Sequence, residues 1–349
     1  MNDWINSPCK NLDESASAAA LTRQGLLTKP PGALGQLEDI AVRLAAQQGE
    51  EQPWIEQIQI TVFAADHGIA ESGVSAFPQA VTLEMVKNFN NRGAAICVLA
   101  EALNAKLEVV NLGTVARPEA ELENVIDTPI AAGTQNFCKA AAMDETQLQA
   151  ALTAGHEAVE RAADNGTELF IGGDMGIANT SASTAIACAL LHLPASELAG
   201  PGTGLDDDGV AAKAAVIDKA LELHRGDHSP LEVLRRLGGF EIAALTAAYI
   251  RCAQLGIPAV VDGFIASAAA LVAIKHNTEV NNWLFYSHAS AEHGHAAMLQ
   301  ALNARPLLDL GMRLGEGSGA ALAAHLLQLA CKLHTGMATF AEAEVSGKL

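Results

Sequence analysis

The sequence predicts an α/β fold, a parallel Rossmann-like sheet flanked by helices. Two observations carry this. Six short apolar, β-branched runs each stop abruptly at a cluster of Gly, Asp, Ser or His, and Ala/Leu-rich stretches of helical length lie between them. The runs also lack polar alternation, as strands do when both faces are covered by helices. In chain order, residues 58–63 precede Asp66-His67-Gly68, and 107–110 precede Asn111-Leu112-Gly113-Thr114. Residues 169–171 precede Gly172-Gly173-Asp174-Met175-Gly176, and 259–261 precede Asp262-Gly263. Residues 283–286 precede Ser287-His288-Ala289-Ser290, and 306–310 precede Gly311. In such sheets ligands bind beyond the carboxyl ends of the strands, so the site is expected to be assembled from these distant loops.

The first ~50 and last ~30 residues lack strand runs and have helical character, at 37–48 and 320–333 for example. The expected organisation is an α/β catalytic domain over 55–320, with 1–54 and 321–349 forming a small helical part that is not an independent domain. No internal repeat or low-complexity linker marks a boundary.

The 349 residues are 50% hydrophobic and 17% charged, which excludes disorder as a general description. Lys+Arg 21 against Asp+Glu 40 gives a net charge of −19, the wrong sign for nucleic acid or an anionic membrane. Small molecules are the expected ligands. The six cysteines contain no CxxC pair and read as reduced core thiols. Residues 1–14 carry no unbroken apolar run, and apolar stretches such as 266–274 fall short of the ~20 residues a membrane span needs. A soluble cytoplasmic protein is expected.

Five loops carry residues suited to chemistry. In Leu314-Gly315-Glu316-Gly317-Ser318-Gly319, glycines on both sides of a carboxylate let a ligand approach, and an apolar lining would raise its pKa toward that of a useful base. The same residues could simply cap the following helix. The glycine-rich turn 172–176, followed by Asn179 and Thr180, suits a phosphate or ribose, although its spacing is neither a dinucleotide fingerprint nor a Walker loop. The loop 200–209 holds Asp206, Asp207 and Asp208, with Lys213 beyond; the carboxylates are either a divalent-metal site or the acidic start of a helix. The loop 287–295 holds His288, Glu292, His293 and His295 without zinc-protease spacing, so phosphate donation or capping is the simpler role. Asp66-His67-Gly68, with Phe77-Pro78-Gln79 and Thr82, lacks the nucleophile elbow of a triad enzyme and fits a ligand-lining loop.

As an ordered set, these loops resemble the nicotinate-nucleotide:dimethylbenzimidazole phosphoribosyltransferases of cobalamin biosynthesis. The matching stretches are 29–35 with Leu37-Glu38, 65–68 with Pro78-Gln79 and Val81-Thr82, 173–180, 200–209 with Lys213, 262–264, 287–295 and 311–319. They span almost the whole chain. The resemblance implies transfer of the 5-phosphoribosyl group from nicotinate mononucleotide to 5,6-dimethylbenzimidazole, giving α-ribazole 5′-phosphate and nicotinate with inversion at the anomeric carbon. It implies Glu316 as the general base, framed by Gly315 and Gly317, and no cofactor or metal. Asp174 stands where the family often has a glutamate, and Lys213 is implied as a partner for phosphate or for that carboxylate. Gln79, Met85 and Leu314 are implied for the benzimidazole pocket, while Ala80 offers no hydroxyl to the azole. Phosphate is expected on backbone N–H groups of Gly176, Gly202 and the Ser290 to Gly294 loop, with Lys213 and Arg313 as nearby cations. A homodimer is implied as well. Two other readings remain open from the residues themselves: a metal-dependent nucleoside or nucleotide hydrolase using Asp206 to Asp208 and the histidine loop, and a non-catalytic nucleotide sensor.

Overall fold

The structure is a computed structural model that describes residues 3–227 and 229–346. Six parallel strands form one sheet: β1 (Ile58–Ala65), β2 (Lys106–Gly113), β3 (Ile126–Asp127), β4 (Leu169–Met175), β5 (Ala259–Val261) and β6 (Leu284–Tyr286). Their order is β3-β2-β1-β4-β5-β6, that of a doubly wound Rossmann sheet. The order reverses between β1 and β4, and a cleft opens beyond the carboxyl ends of β4, β5 and β6.

Thirteen α-helices are described: α1 (Glu14–Leu26), α2 (Gln36–Gln48), α3 (Ala80–Asn90), α4 (Ala95–Ala102), α5 (Glu145–Asp164), α6 (Asn179–Leu191), α7 (Ala195–Leu198), α8 (Asp207–Leu223), α9 (Pro230–Leu237), α10 (Phe240–Leu255), α11 (Phe264–His276), α12 (His295–Ala301) and α13 (Ser318–Gly336). Every residue of β1 is buried, because apolar layers cover both faces of the sheet. On one face, α5, α6, α10 and α11 pack through Leu152, Ile186, Leu245 and Leu271 around Phe63 and Phe170. On the other, α2, α4 and α13 pack Leu44, Ile96, Ala324 and Leu327 against Ile60, Val62 and Ile171.

The two chain ends meet. Leu27 bridges Thr339, and the Arg23 Nε donates to the carbonyl of His334 at 2.9 Å. Helix α13 also reaches inward, because its first turns lie against β4 and β5 and end beside the crevice.

Five of the predicted runs coincide with strands; the sixth, 306–310, does not. Leu308 makes a single parallel bridge to His288, and the chain then leaves the sheet with Leu310 at 61% exposure. Pro306 supplies no N–H for a ladder, and an apolar side chain facing water gains nothing from pairing. The sixth strand is β3 at the opposite edge, two residues long and too short to leave a hydrophobic pattern. Among the described residues, no helix is long and apolar enough to cross a membrane.

Candidate active site

Four strand ends deliver the site. β1 leads into Asp66-His67, β4 carries Asp174, β5 leads into Asp262, and β6 into Ser287-His288. Glu316 arrives from the turn before α13. There Gly315, Glu316 and Gly317 have φ of 93°, 64° and 85°, three consecutive left-handed residues. Glycine adopts this conformation freely, whereas glutamate does so at a cost that is characteristic of functional positions. Gly173 explains how the turn is held. A β-carbon there would lie 2.3 Å from the Glu316 carbonyl oxygen, and the Glu316 N–H donates to the Asp174 carbonyl at 3.2 Å.

Three buried carboxylates converge around this turn. The Glu316 Oε2 accepts from the Ile96 N–H at 3.2 Å, in the first turn of α4. Burial raises its pKa above the ordinary carboxylate value, against the pull of that N–H. Asp262 accepts from the Ala320 N–H at 2.8 Å and the Gly317 N–H at 3.2 Å, so it caps α13 and fixes the Glu316 turn. Its pKa is pushed up to about 7, chiefly by burial. Asp174 accepts from the Asn179 side-chain amide at 3.0 Å and is held well above the usual range, first by burial and then by Asp262 and Glu241. Carboxyl groups poised in this way can take up a proton near neutral pH.

A cleft of about 280 Å³ opens beside them, walled by Phe77, Phe264, Thr180, His288, Arg313 and Leu314. Gly176, Gly202, Ser290, Gly315 and Asp174 line it too. Glu316 is not itself part of this lining; it follows the lining residues Leu314 and Gly315, and its carboxylate is turned to the Ile96 N–H of α4. A larger groove of about 580 Å³ runs between α2 and the β6 edge, past Arg43, Asn282 and Arg305, and holds none of the strand-end carboxylates.

The remaining predicted residues are placed as follows. Lys213 is buried behind the cleft wall, where its Nζ donates to the Thr180 Oγ1 at 2.8 Å and the Gly200 carbonyl at 3.2 Å. Burial lowers its pKa to about 8, opposed by the Glu292 carboxylate. It therefore braces the glycine loop and bonds to neither oxygen of Asp174. Arg313 lines the cleft itself and donates to the Gly202 carbonyl at 3.2 Å. The Gln79 side-chain amide donates to the His67 carbonyl at 2.8 Å, and half-buried Met85 packs on the α2/α4/α13 layer.

Two placements depart from the sequence reading, and a third resolves an alternative it left open. The Ser290 N–H donates to the His295 Nδ1, the Ala291 N–H to the Met312 carbonyl and the Glu292 N–H to the Ser290 Oγ. Those three N–H groups are engaged inside the protein and are not open to a phosphate. A β-carbon on Gly294 would lie 2.6 Å from the Leu198 carbonyl, so this glycine serves a close chain approach. The Gly317 N–H is likewise taken by Asp262. The acidic loop resolves as a cap: the Asp206 side chain accepts from the Gly209 N–H at 2.9 Å, and Asp207 and Asp208 begin α8. Among the described residues, no group of three or more His, Cys, Asp or Glu side chains is placed to hold a metal ion.

Sequence reasoning also missed a buried pair under the glycine turn. The His67 Nε2 meets the Glu241 Oε1 at 2.6 Å, with both side chains fully buried. A β-carbon on Gly176 would lie 3.2 Å from His67 and 3.3 Å from Glu241, so the pair supports the cleft floor. The two residues lie far apart in sequence, and nothing local signals their meeting.

A cleft beyond the carboxyl ends of the strands, ringed by glycine turns and buried carboxylates, is the small-molecule site expected of a doubly wound α/β enzyme. The family model described as Phosphoribosyltransferase matches residues 9–345. A nicotinate-nucleotide–dimethylbenzimidazole phosphoribosyltransferase of Xanthomonas campestris pv. campestris (strain B100) is 58% identical over 344 residues, 99% of each chain. The protein of the same name from Pseudomonas aeruginosa (strain LESB58) is 57% identical over 347 residues, 99% of this chain and 98% of that one. The crystal structure of the Thermus thermophilus protein superposes with a TM-score of 0.91 at 42% identity, covering 97% of this chain and 100% of that one. The chain belongs to the nicotinate-nucleotide:dimethylbenzimidazole phosphoribosyltransferase family of pentosyltransferases.

Proposed function

We propose that the protein transfers the 5-phosphoribosyl group of nicotinate mononucleotide to 5,6-dimethylbenzimidazole with inversion at the anomeric carbon, Glu316 acting as general base. The observation that carries the mechanism is the Glu316 carboxylate, buried with a raised pKa on a left-handed turn next to the cleft-lining Gly315. One benzimidazole nitrogen attacks C1′ as the C1′–N bond to nicotinate breaks, its electron pair staying with the departing pyridine nitrogen. The proton on the other benzimidazole nitrogen passes to Glu316. Nicotinate leaves from a pyridinium, so no acid has to protonate it. The Asp174 and Asp262 carboxyls line the same cleft, where burial raises both pKa values and favours their neutral forms. Gln79, Met85 and Leu314 are assigned to the benzimidazole side, and Gly176, Gly202, Ser290 and the Lys213-braced loop to the nucleotide. The products are α-ribazole 5′-phosphate and nicotinate. The resemblance further supports a cytoplasmic homodimer, which sedimentation would report as twice the chain mass.

The test is to incubate the protein with both substrates and follow nicotinate by chromatography and the anomeric configuration by proton NMR. Stoichiometric nicotinate and an α-linked product are expected. Absence of nicotinate would overturn the reaction, and a β-linked product would overturn inversion.

A further inference from the structure

His288 and His295 share a loop but are satisfied differently. The His295 Nδ1 accepts from the Ser290 N–H at 2.8 Å, which puts its proton on Nε2, 2.9 Å from the Ser267 Oγ. Both of its nitrogens are used within the protein. At His288, the Ser287 Oγ gives its single proton to the Asp262 carbonyl at 2.6 Å. The contact of 2.8 Å between the Ser287 Oγ and the His288 Nδ1 must then be a donation from Nδ1–H to the hydroxyl. Burial lowers the pKa of His288, favouring the neutral ring, and a neutral ring with its proton on Nδ1 has a bare lone pair on Nε2.

That lone pair faces the cleft. His288 and Gly263 both line it, and a β-carbon on Gly263 would sit 3.3 Å from the His288 Cε1 and 3.5 Å from Nε2. A side chain at 263 would cover this edge; glycine leaves it open. On the other side of the ring, a β-carbon on Gly319 would clash with Nδ1 at 2.1 Å, so the first turn of α13 holds the imidazole in place.

An acceptor in this position selects among the groups of the donor nucleotide. Phosphate and the nicotinate carboxylate, when ionised, have no proton to give and would be repelled by the lone pair. The ribose hydroxyls are the donor's remaining hydrogen-bond donors. We infer that His288 is a ribose-binding residue, its Nε2 accepting a hydrogen bond from the 2′- or 3′-hydroxyl of the phosphoribosyl donor. This rests on the proposed reaction, and it replaces the expectation that histidines of this loop donate to phosphate.

The test is a cycle of two enzymes against three donors: wild type and His288→Ala, each with nicotinate mononucleotide and its 2′-deoxy and 3′-deoxy analogues. His288→Ala is expected to lower kcat/KM for the full donor about 10- to 100-fold, the effect of leaving a buried hydroxyl unpaired. For one deoxy donor the same substitution is expected to cost less than about threefold, because the bond is already missing. An equal loss with all three donors, or no loss with the full donor, would overturn the assignment. His288→Gln, which restores an acceptor, is expected to recover part of the activity. Independently of turnover, nitrogen-15 NMR of wild-type protein is expected to show the His288 proton on Nδ1 and a shift of Nε2 when the donor is added. A proton on Nε2, or an Nε2 signal unmoved by bound donor, would contradict the inference even if the chain used another base. Failure of wild type to release nicotinate from the full donor would instead fault the reaction itself.

Discussion

Glu316 is held where a carboxylate is unusually basic yet still within reach of a helix N-terminus that favours its charge. In its proposed role as the base, it must be ionised to work. Because its pKa is raised, kcat/KM is expected to climb with pH along a limb above the ordinary carboxylate range and then level off. Glu316→Gln is expected to lower turnover at least ~10²-fold and to remove that limb, with circular dichroism unchanged. Lys213 titrates at the other end of the range. With its pKa near 8, the ammonium is charged below that pH and is lost as pH rises through it, so KM for the donor is expected to increase above pH 8. In Lys213→Ala, KM is expected to be about tenfold higher and flat across the same range, as initial-rate kinetics would show. Its flanking glycines made Glu316 stand out in the sequence, and the structure accounts for them by the left-handed turn of residues 315–317. Asp262, Glu241 and His288 were legible only as residues of loops or helices. Their roles come from partners delivered by other elements, such as the α13 N–H groups that Asp262 accepts.

At the scale of elements, the site depends on how closely the turn before α13 can approach β4. Gly173→Ala would place a methyl against the Glu316 carbonyl. The substitution is expected to destabilise the fold by about 1–3 kcal/mol in urea melts and to lower kcat by displacing the base. Five strands were legible because a strand buried on both faces writes a continuous apolar run. The run at 306–310 writes the same signal but begins with proline and ends exposed, a difference that only tertiary placement reveals. β3 leaves no readable pattern because two residues cannot form one.

For the whole molecule, a net charge of −19 opposes an anionic donor. Screening shortens from about 30 Å at 0.01 M salt to about 8 Å at 0.15 M. Donor kcat/KM is therefore expected to rise a few-fold over that interval, opposite to the fall seen when a cationic surface steers an anion; stopped-flow or initial-rate titration with salt would measure it. Local cations such as Arg313 and the Lys213-braced glycine loop must overcome this field inside the cleft. The proposed chemistry turns on Glu316 taking the azole proton during phosphoribosyl transfer. The most direct measurement is nicotinate release from nicotinate mononucleotide, with and without 5,6-dimethylbenzimidazole, for wild type and Glu316→Gln side by side. Wild type is expected to release nicotinate only when dimethylbenzimidazole is present, and the variant at least ~10²-fold more slowly. Equal rates in the two proteins would contradict this role of Glu316.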